Sequence, residues 1–179
     1  MQHQPRVRRL LLAAAAIGLF AFAVLTARLF VWPDLPPLPP EVDAIVELAG
    51  PGIRDRAALA LAREHRAPIL IQSTVASEAG TQRCLPKVQG VTIVCFHPEP
   101  GTTRGEARTI GEMARQQHWR SVVLVTTPDH AWRARLRVAR CFAGDIYVAT
   151  SPLPRRDWLI AIPYQWAATI KALVFEREC

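Results

Sequence analysis

His130 and Arg133 are side chains whose types and spacing fit chemistry on an anion. They follow Thr127-Pro128, where Thr127 is a favoured N-cap and Pro128 suits the first helical turn. A spacing of three residues places both side chains on one helical face, near the positive end of the helix dipole. Such a site would favour phosphate or carboxylate, with His130 as a catalytic general acid or base. The alternative is that His130 only packs at the start of a helix.

Two glycines, Gly50 and Gly52, flank Pro51 between a predicted strand and a predicted helix. Glycine in that position lets backbone amides approach an anion at a helix N-terminus, although a tight turn explains the pair equally well. The segment is not a dinucleotide fingerprint, because Asp55 stands where the third glycine would be. It also lacks the Gly-Lys-Ser or Gly-Lys-Thr of a Walker loop.

A second helix start lies at Thr103, where Thr103-x-x-Glu106 fits a capping box. Arg104 and Arg108 are one turn apart in that helix and could clamp an acidic group. The alternatives are a purely structural cap and two solvated arginines.

Several catalytic and metal-binding motifs are absent from the sequence. It has no GxSxG nucleophile elbow and no HExxH, and its cysteines and histidines lack zinc-ligand spacing. Four carboxylates, Glu47, Asp55, Glu106 and Asp129, do not form an obvious pair. The sequence therefore predicts no metal site, names no cofactor, and leaves open whether the protein is an enzyme.

Strands and helices that alternate after Val42 must position these residues. Predicted strands cover 43–49, 68–73, 91–96, 121–126 and 145–149, and predicted helices cover 54–66, 164–176 and the segments that start at 103 and 128. Continuous apolar strands that alternate with helices indicate an α/β fold, a Rossmann-like parallel sheet covered by helices on both faces.

Ligands of such sheets bind at the carboxyl ends of the strands, so the polar residues there should converge on one rim. The ligand-binding candidates at this rim are Gly50, Gly52, Ser73, Thr74, Thr103, Arg104, Glu106, Thr126, Thr127 and Arg133.

The uncharged run 10–27 is long enough, at about 1.5 Å per residue, to cross a hydrocarbon core. Arg6, Arg8 and Arg9 precede it, so the positive-inside rule places the N-terminus in the cytoplasm and the domain outside. A cleaved signal peptide is the alternative, and it exports the domain as well. In chain order, we expect a basic cytoplasmic N-terminus at 1–9, a transmembrane anchor at 10–31, a proline-rich spacer at 32–41 that lifts the domain off the membrane, and the α/β domain at 42–179.

Four cysteines allow three pairings, and an oxidising compartment would favour disulfides. We favour Cys84 with Cys95, because only a short loop separates them, which leaves Cys141 with Cys179. The formal net charge of +7 is too mild to indicate nucleic acid as a partner, and the lipid bilayer is the partner that the sequence predicts.

The order of these motifs resembles one protein family. An N-terminal anchor precedes DAIVELAGPG, PILIQS, TTRGEAR and WRSVVLVTTPDHAWRAR, and this order is similar to the YdcF/SanA/ElyC-like proteins of bacterial envelopes. The resemblance covers roughly residues 42–176. Its most specific positions are Thr103, Thr126, Thr127, His130, Arg133 and Ala134.

The resemblance implies a Rossmann-like domain with a role in envelope biogenesis or barrier function, on a phosphorylated or lipid-linked cell-wall precursor. The sequence departs from the family at Gly50-Pro51-Gly52 and at Ser73-Thr74-Val75, where glycine-rich segments are usual. Two alternatives are a non-catalytic envelope scaffold and an S-adenosylmethionine-binding protein, as in one branch of the family. An exported domain would have no obvious supply of that cofactor.

Overall fold

A computed structural model describes the backbone of residues 4–50, 53–74 and 84–179, and side chains from residue 7 onward. Within these residues, five strands form one sheet: β1 (Ala44–Glu47), β2 (Ile69–Ser73), β3 (Thr92–Phe96), β4 (Ser121–Thr126) and β5 (Asp145–Thr150). The α-helices are α1 (Gln4–Thr26), α2 (Arg54–Arg63), α3 (Thr103–Gln117), α4 (Pro128–Val138) and α5 (Trp158–Val174).

Every strand pair in this sheet is parallel, and the order is β3-β2-β1-β4-β5. The first strand lies in the middle, with Ile45 in register with Leu70 of β2 and Val123 of β4. From β1 the chain first adds β2 and β3 on one side, and then adds β4 and β5 on the other side of β1. Because the direction reverses at β1, a crevice forms between the carboxyl ends of β1 and β4. The predicted Rossmann-like α/β fold is confirmed.

Two hydrophobic cores cover the two faces of the sheet. On one face, α2 packs Ala58 and Ala62 against inward side chains such as Ile45. On the other face, α3 and α4 pack Ile110 and Val138 against the alternate side chains of the same strands. Burial on both faces explains why the strands are continuously apolar in sequence.

The start of α3 differs from the predicted capping box. The N-cap is Thr102, whose hydroxyl accepts a hydrogen bond from the Gly105 amide at 3.3 Å. Thr103 is the first helical residue, and the Glu106 carboxylate accepts instead from the Ala49 amide at 2.8 Å. The box prediction was therefore wrong by one residue, since Thr102 is an equally good cap and frees Thr103 for other contacts.

The last helix begins six residues earlier than predicted. It starts at Trp158 and continues through Pro163, which lies on its exposed side. Proline normally breaks a helix interior, but here the helix accommodates it near its N-terminal end. A 3-10 turn, Arg155–Asp157, precedes α5.

The apolar N-terminal run is helical and does not end in a free-standing spacer. One candidate membrane span covers Val7–Val31, and its last part is the π-helical segment Ala27–Val31. The proline-rich segment that follows packs Leu35 and Leu38 against the two cores of the domain. This segment therefore lies along the domain, because its leucines bury apolar surface there.

Both predicted disulfides are confirmed. Cys84 pairs with Cys95, and Cys141 pairs with Cys179. The first joins the segment before β3 to β3 itself, and the second fastens the last described residue to the segment after α4.

Candidate functional site

A cleft of about 760 Å³ lies at the crevice between β1 and β4. Ala49 and Gly50 line it after β1, Thr102 and Thr103 at the start of α3, and His130 at the start of α4. Helix α5 forms the opposite wall. The N-termini of α3 and α4 thus point their positive dipole ends into one cavity.

His130 lies buried at the base of this cleft. Its Nδ1 is 2.9 Å from the Thr126 hydroxyl, and its Nε2 is 3.2 Å from the Thr103 hydroxyl. Burial and the nearby guanidinium groups of Arg133 and Arg54 hold the pKa of His130 well below its usual value. The ring is therefore neutral at pH 7 and carries one proton, so it donates one of these two hydrogen bonds and accepts the other.

Arg133 lies one turn further along α4 and is also buried. Its Nη1 donates to the Thr103 hydroxyl at 3.1 Å, and its Nε donates to the Gln165 side-chain oxygen at 2.8 Å. The guanidinium carbon lies 5.7 Å from the centre of the Tyr164 ring, a cation–π contact. These contacts hold a permanent positive charge at a fixed place in the cleft.

Arg54 is a second buried cation of the site, and no sequence pattern predicted its role. Its guanidinium donates to the Leu48 carbonyl at 2.9 Å, to the Ala49 carbonyl, and to the Thr127 hydroxyl at 3.0 Å. Gly50, whose φ is +138°, makes room for it, because a Cβ there would lie 2.8 Å from the Arg54 terminal nitrogens. Arg54 therefore joins the ends of β1 and β4.

Two carboxylates accompany these cations. Burial raises the pKa of Glu106, which favours its neutral form. Asp129 accepts from the Gln165 amide at 2.8 Å through Oδ2, while its buried Oδ1 has no hydrogen-bond partner among the described residues. An unpartnered buried carboxylate oxygen beside an arginine is an acceptor that a ligand hydroxyl can use.

The structure brings most of the predicted site residues together. Those that line the cleft are Gly50, Thr103, Arg104, Glu106, His130 and Arg133. Thr126 and Thr127 lie behind it, as hydrogen-bond partners of His130 and Arg54. Gly52 lies outside the described residues.

Ser73 and Thr74 lie at the predicted strand end but do not line the cleft. Thr74 is buried, and its hydroxyl contacts the Phe96 carbonyl at 3.0 Å and His97 Nδ1 at 2.9 Å. These bonds tie β2 to β3. Thr74 lies away from the cleft because β2 and β3 lie on the far side of β1 from the crevice.

Arg104 and Arg108 clamp a group of the chain itself. Both guanidinium groups donate to the Cys179 oxygen, at 3.3 Å and 3.0 Å. Arg137 and Arg140 similarly donate to the Glu176 carbonyl. The C-terminal segment is thus held along the edge of the cleft. The group that Arg104 and Arg108 bind is the Cys179 oxygen of the chain itself.

Four residues that line the cleft were not among the predicted ligand-binding residues: Arg54, Asp129, Tyr164 and Gln165. Asp129 directly precedes His130, and this adjacency was the one usable signal. Tyr164 and Gln165 come from α5, whose start was placed too late, so their approach to α4 depends on tertiary packing alone.

Glu47, buried at the end of β1, should make stability depend on pH. Burial and the neighbouring Asp55 carboxylate raise the pKa of Glu47 to about 9. The folded state therefore holds a proton that the unfolded state releases near pH 4.5, so stability is full below that pH and falls as pH rises toward 9.

Glu47→Gln should remove this loss and raise the free energy of unfolding at pH 8 by at least ~1 kcal/mol. Urea denaturation of the wild type and the variant at pH 5 and pH 8 measures it. Glu112→Gln, an exposed change on α3, is the matched control. Parallel pH profiles of the wild type and Glu47→Gln would contradict a buried, protonated Glu47.

Comparison with protein families, curated proteins and solved structures finds no match for this chain.

Proposed function

We propose that the protein is a membrane-anchored, extracytoplasmic member of the YdcF/SanA/ElyC-like proteins that binds or processes a phosphorylated or lipid-linked precursor of the cell envelope. The observation that carries this proposal is Arg133, which is buried in the cleft and fixed by Thr103 at the N-terminus of α3 and by Gln165 of α5. Arginine beside helix N-termini is a recurrent arrangement for phosphate recognition.

The charge balance of the cleft supports an anionic group. Arg54 and Arg133 are permanently charged, while the raised pKa of Glu106 favours the neutral form of one acidic neighbour. Asp129 remains as an acceptor for a neutral hydroxyl. A phosphate with an adjoining sugar or alcohol hydroxyl would match both parts of this surface.

His130 supports the proposal as a neutral group. A neutral imidazole accepts a proton or hydrogen bond, so in a processing reaction it would act as a base toward Thr103 or toward a ligand hydroxyl. In a binding protein the same ring would orient Thr103 and the ligand. The roles through Thr103 use the contact between His130 Nε2 and the Thr103 hydroxyl, and a ligand hydroxyl would replace that contact.

Two features support a membrane-anchored, extracytoplasmic location. One N-terminal helix is long and apolar enough to cross a membrane, and two disulfides are typical of an oxidising compartment. A tether of this kind raises the effective concentration of the domain near lipid-borne ligands.

The described part of the loop after β1 is a poor match for binding S-adenosylmethionine. In dinucleotide-binding folds the cofactor approaches the backbone of this loop. Here the Arg54 guanidinium lies against Gly50 and bonds the Leu48 and Ala49 carbonyls. We therefore derive no step through that cofactor.

Ligand binding by the full chain in lipid nanodiscs tests the proposal. A polyprenyl phosphate should bind at least about 10-fold more tightly than the polyprenol of the same length, because only the phosphate makes charge-assisted hydrogen bonds. Equal affinity for the two lipids would mean that the cleft does not recognise the phosphate.

A further inference from the structure

Helix α5 has the reverse of the usual polarity of a surface helix. Its buried side chains are Gln165, Thr169 and Ala172, two of which are polar. Six of its large apolar side chains are exposed: Leu159, Ile160, Tyr164, Ile170, Leu173 and Val174, with Phe175 directly after the helix. Lys171 is the one charged residue between Trp158 and Val174. An apolar face this long marks a contact with something other than water.

The same helix packs on the end of the candidate membrane span. The Trp166 ring stacks on Phe22 with ring centres 5.1 Å apart, and meets Phe30 edge-on at 5.3 Å. Its indole nitrogen donates to the Thr26 hydroxyl at 3.2 Å. Phe30 is fully buried. The middle of α5 is therefore fixed beside the last turns of α1.

The length of α1 sets the depth of this contact. A hydrocarbon core of about 30 Å takes about 20 helical residues, so a span that starts at Leu10, after the basic residues, ends near residue 29. Phe22 then lies about 10 Å inside that boundary. Trp166 also contacts Phe30, which lies at the boundary itself, so its ring lies between these two depths, within the about 5–10 Å to which interfacial helices bury their apolar face.

We propose that α5 is an interfacial membrane helix, whose exposed apolar face lies in the bilayer leaflet on the side of the domain. Continuity with α1 identifies the bilayer as the partner, because the two apolar surfaces adjoin at Trp166. Basic and aromatic residues at the start of α5 fit this placement: Arg155 and Arg156 are exposed and Trp158 follows. The Lys171 ammonium pairs with the Glu176 carboxylate at 3.0 Å, which offsets its charge beside the apolar face.

This placement brings the cleft to the bilayer surface. Ile160, Ala161 and Ala168 line the cleft from α5, while Ile170 and Val174 of the same helix lie outside it. A lipid can then keep its chain in the leaflet along α5 while its headgroup reaches Arg133. This access route rests on the proposed ligand of the cleft, whereas the position of α5 in the leaflet rests only on the membrane span.

Photolabelling of the full chain in liposomes tests the position of α5. Phosphatidylcholine with a photoreactive group on its acyl chain should label peptides from α5 as well as from α1. Peptides from α2, which lies across the sheet, should stay unlabelled. Labelling confined to α1 overturns the proposal, and so does an unlabelled α5 that crosslinks to α5 of a second copy.

A variant with charges on the apolar face sharpens the test. Ile170→Glu together with Val174→Glu should lower labelling of α5 about 10-fold or more, because glutamate is costly in hydrocarbon. The control is Ala60→Glu, on the exposed side of α2. Unchanged labelling in the charged variant overturns the proposal.

Inorganic pyrophosphate separates this proposal from the function of the cleft. Its binding should not change in the Ile170→Glu, Val174→Glu variant, while affinity for a bilayer-borne polyprenyl phosphate should fall about 10-fold. Labelled α5 without any phosphate binding would mean that the proposed function fails and the interfacial helix stands. Intact phosphate binding with unlabelled α5 would mean that the proposed function stands and the interfacial helix fails.

Discussion

Arg133→Gln should weaken binding of a polyprenyl phosphate by about 10- to 100-fold, since hydrogen bonds to charged groups are worth about 1.5–3 kcal/mol. Glutamine keeps a polar side chain of similar length but removes the positive charge that Thr103 and Gln165 hold in the cleft. Titration of the variant in nanodiscs, with thermal denaturation to verify folding, gives the measurement. Of the single substitutions in the cleft, we expect this one to have the largest effect on binding.

Two further variants make the Arg133 result interpretable. Arg115→Gln, an exposed change near the end of α3, removes the same charge away from the cleft and should leave affinity unchanged. Arg133→Lys keeps the charge but loses the fork that bonds two partners, so an intermediate loss is expected. If folded Arg133→Gln binds as the wild type does, the cleft is not the phosphate site and a scaffold function becomes the better explanation.

Removal of the Cys141–Cys179 disulfide, by Cys141→Ser with Cys179→Ser, should lower the free energy of unfolding by about 4 kcal/mol. The bridge joins residues 38 apart in sequence, and the loss follows from the greater freedom of the unfolded chain. Urea denaturation of wild type and variant, both oxidised, measures the difference.

The second disulfide provides the matched control. Cys84 and Cys95 are 11 residues apart, so the same argument predicts a loss of about 3 kcal/mol for Cys84→Ser with Cys95→Ser. The C-terminal variant should also free the segment that Arg104 and Arg108 hold. A smaller loss for Cys141–Cys179 than for Cys84–Cys95 would contradict the loop argument.

Local patterns predicted the elements of the sheet with little error. The strand Ser121–Thr126 was predicted at its observed bounds, because a run of mostly apolar and β-branched residues can be buried on both faces of a parallel sheet. Errors arose where two neighbouring residues compete for one role, as Thr102 and Thr103 do for the N-cap. Pro163 produced the other error, because a proline within a helix is unusual.

The predicted rim residues meet in the cleft where their strands flank the crevice and lie outside it where their strands do not. Gly50, Thr103, His130 and Arg133 converge as expected, because β1 and β4 are neighbours. Thr74 does not line the cleft, since β2 lies one strand further away. Strand order, which local sequence does not encode, decides which carboxyl ends meet at a ligand.

The sequence by itself determined the alternation of strands and helices, the apolar N-terminal helix, and the helix start that carries His130 and Arg133. These depend on periodicity and on capping residues, which act over a few positions. Only the tertiary structure decided that Arg54 joins β1 to β4, that α5 closes the cleft, and that Trp166 packs on α1. Those contacts join residues far apart in the chain, so the folded backbone must exist before their side chains can meet.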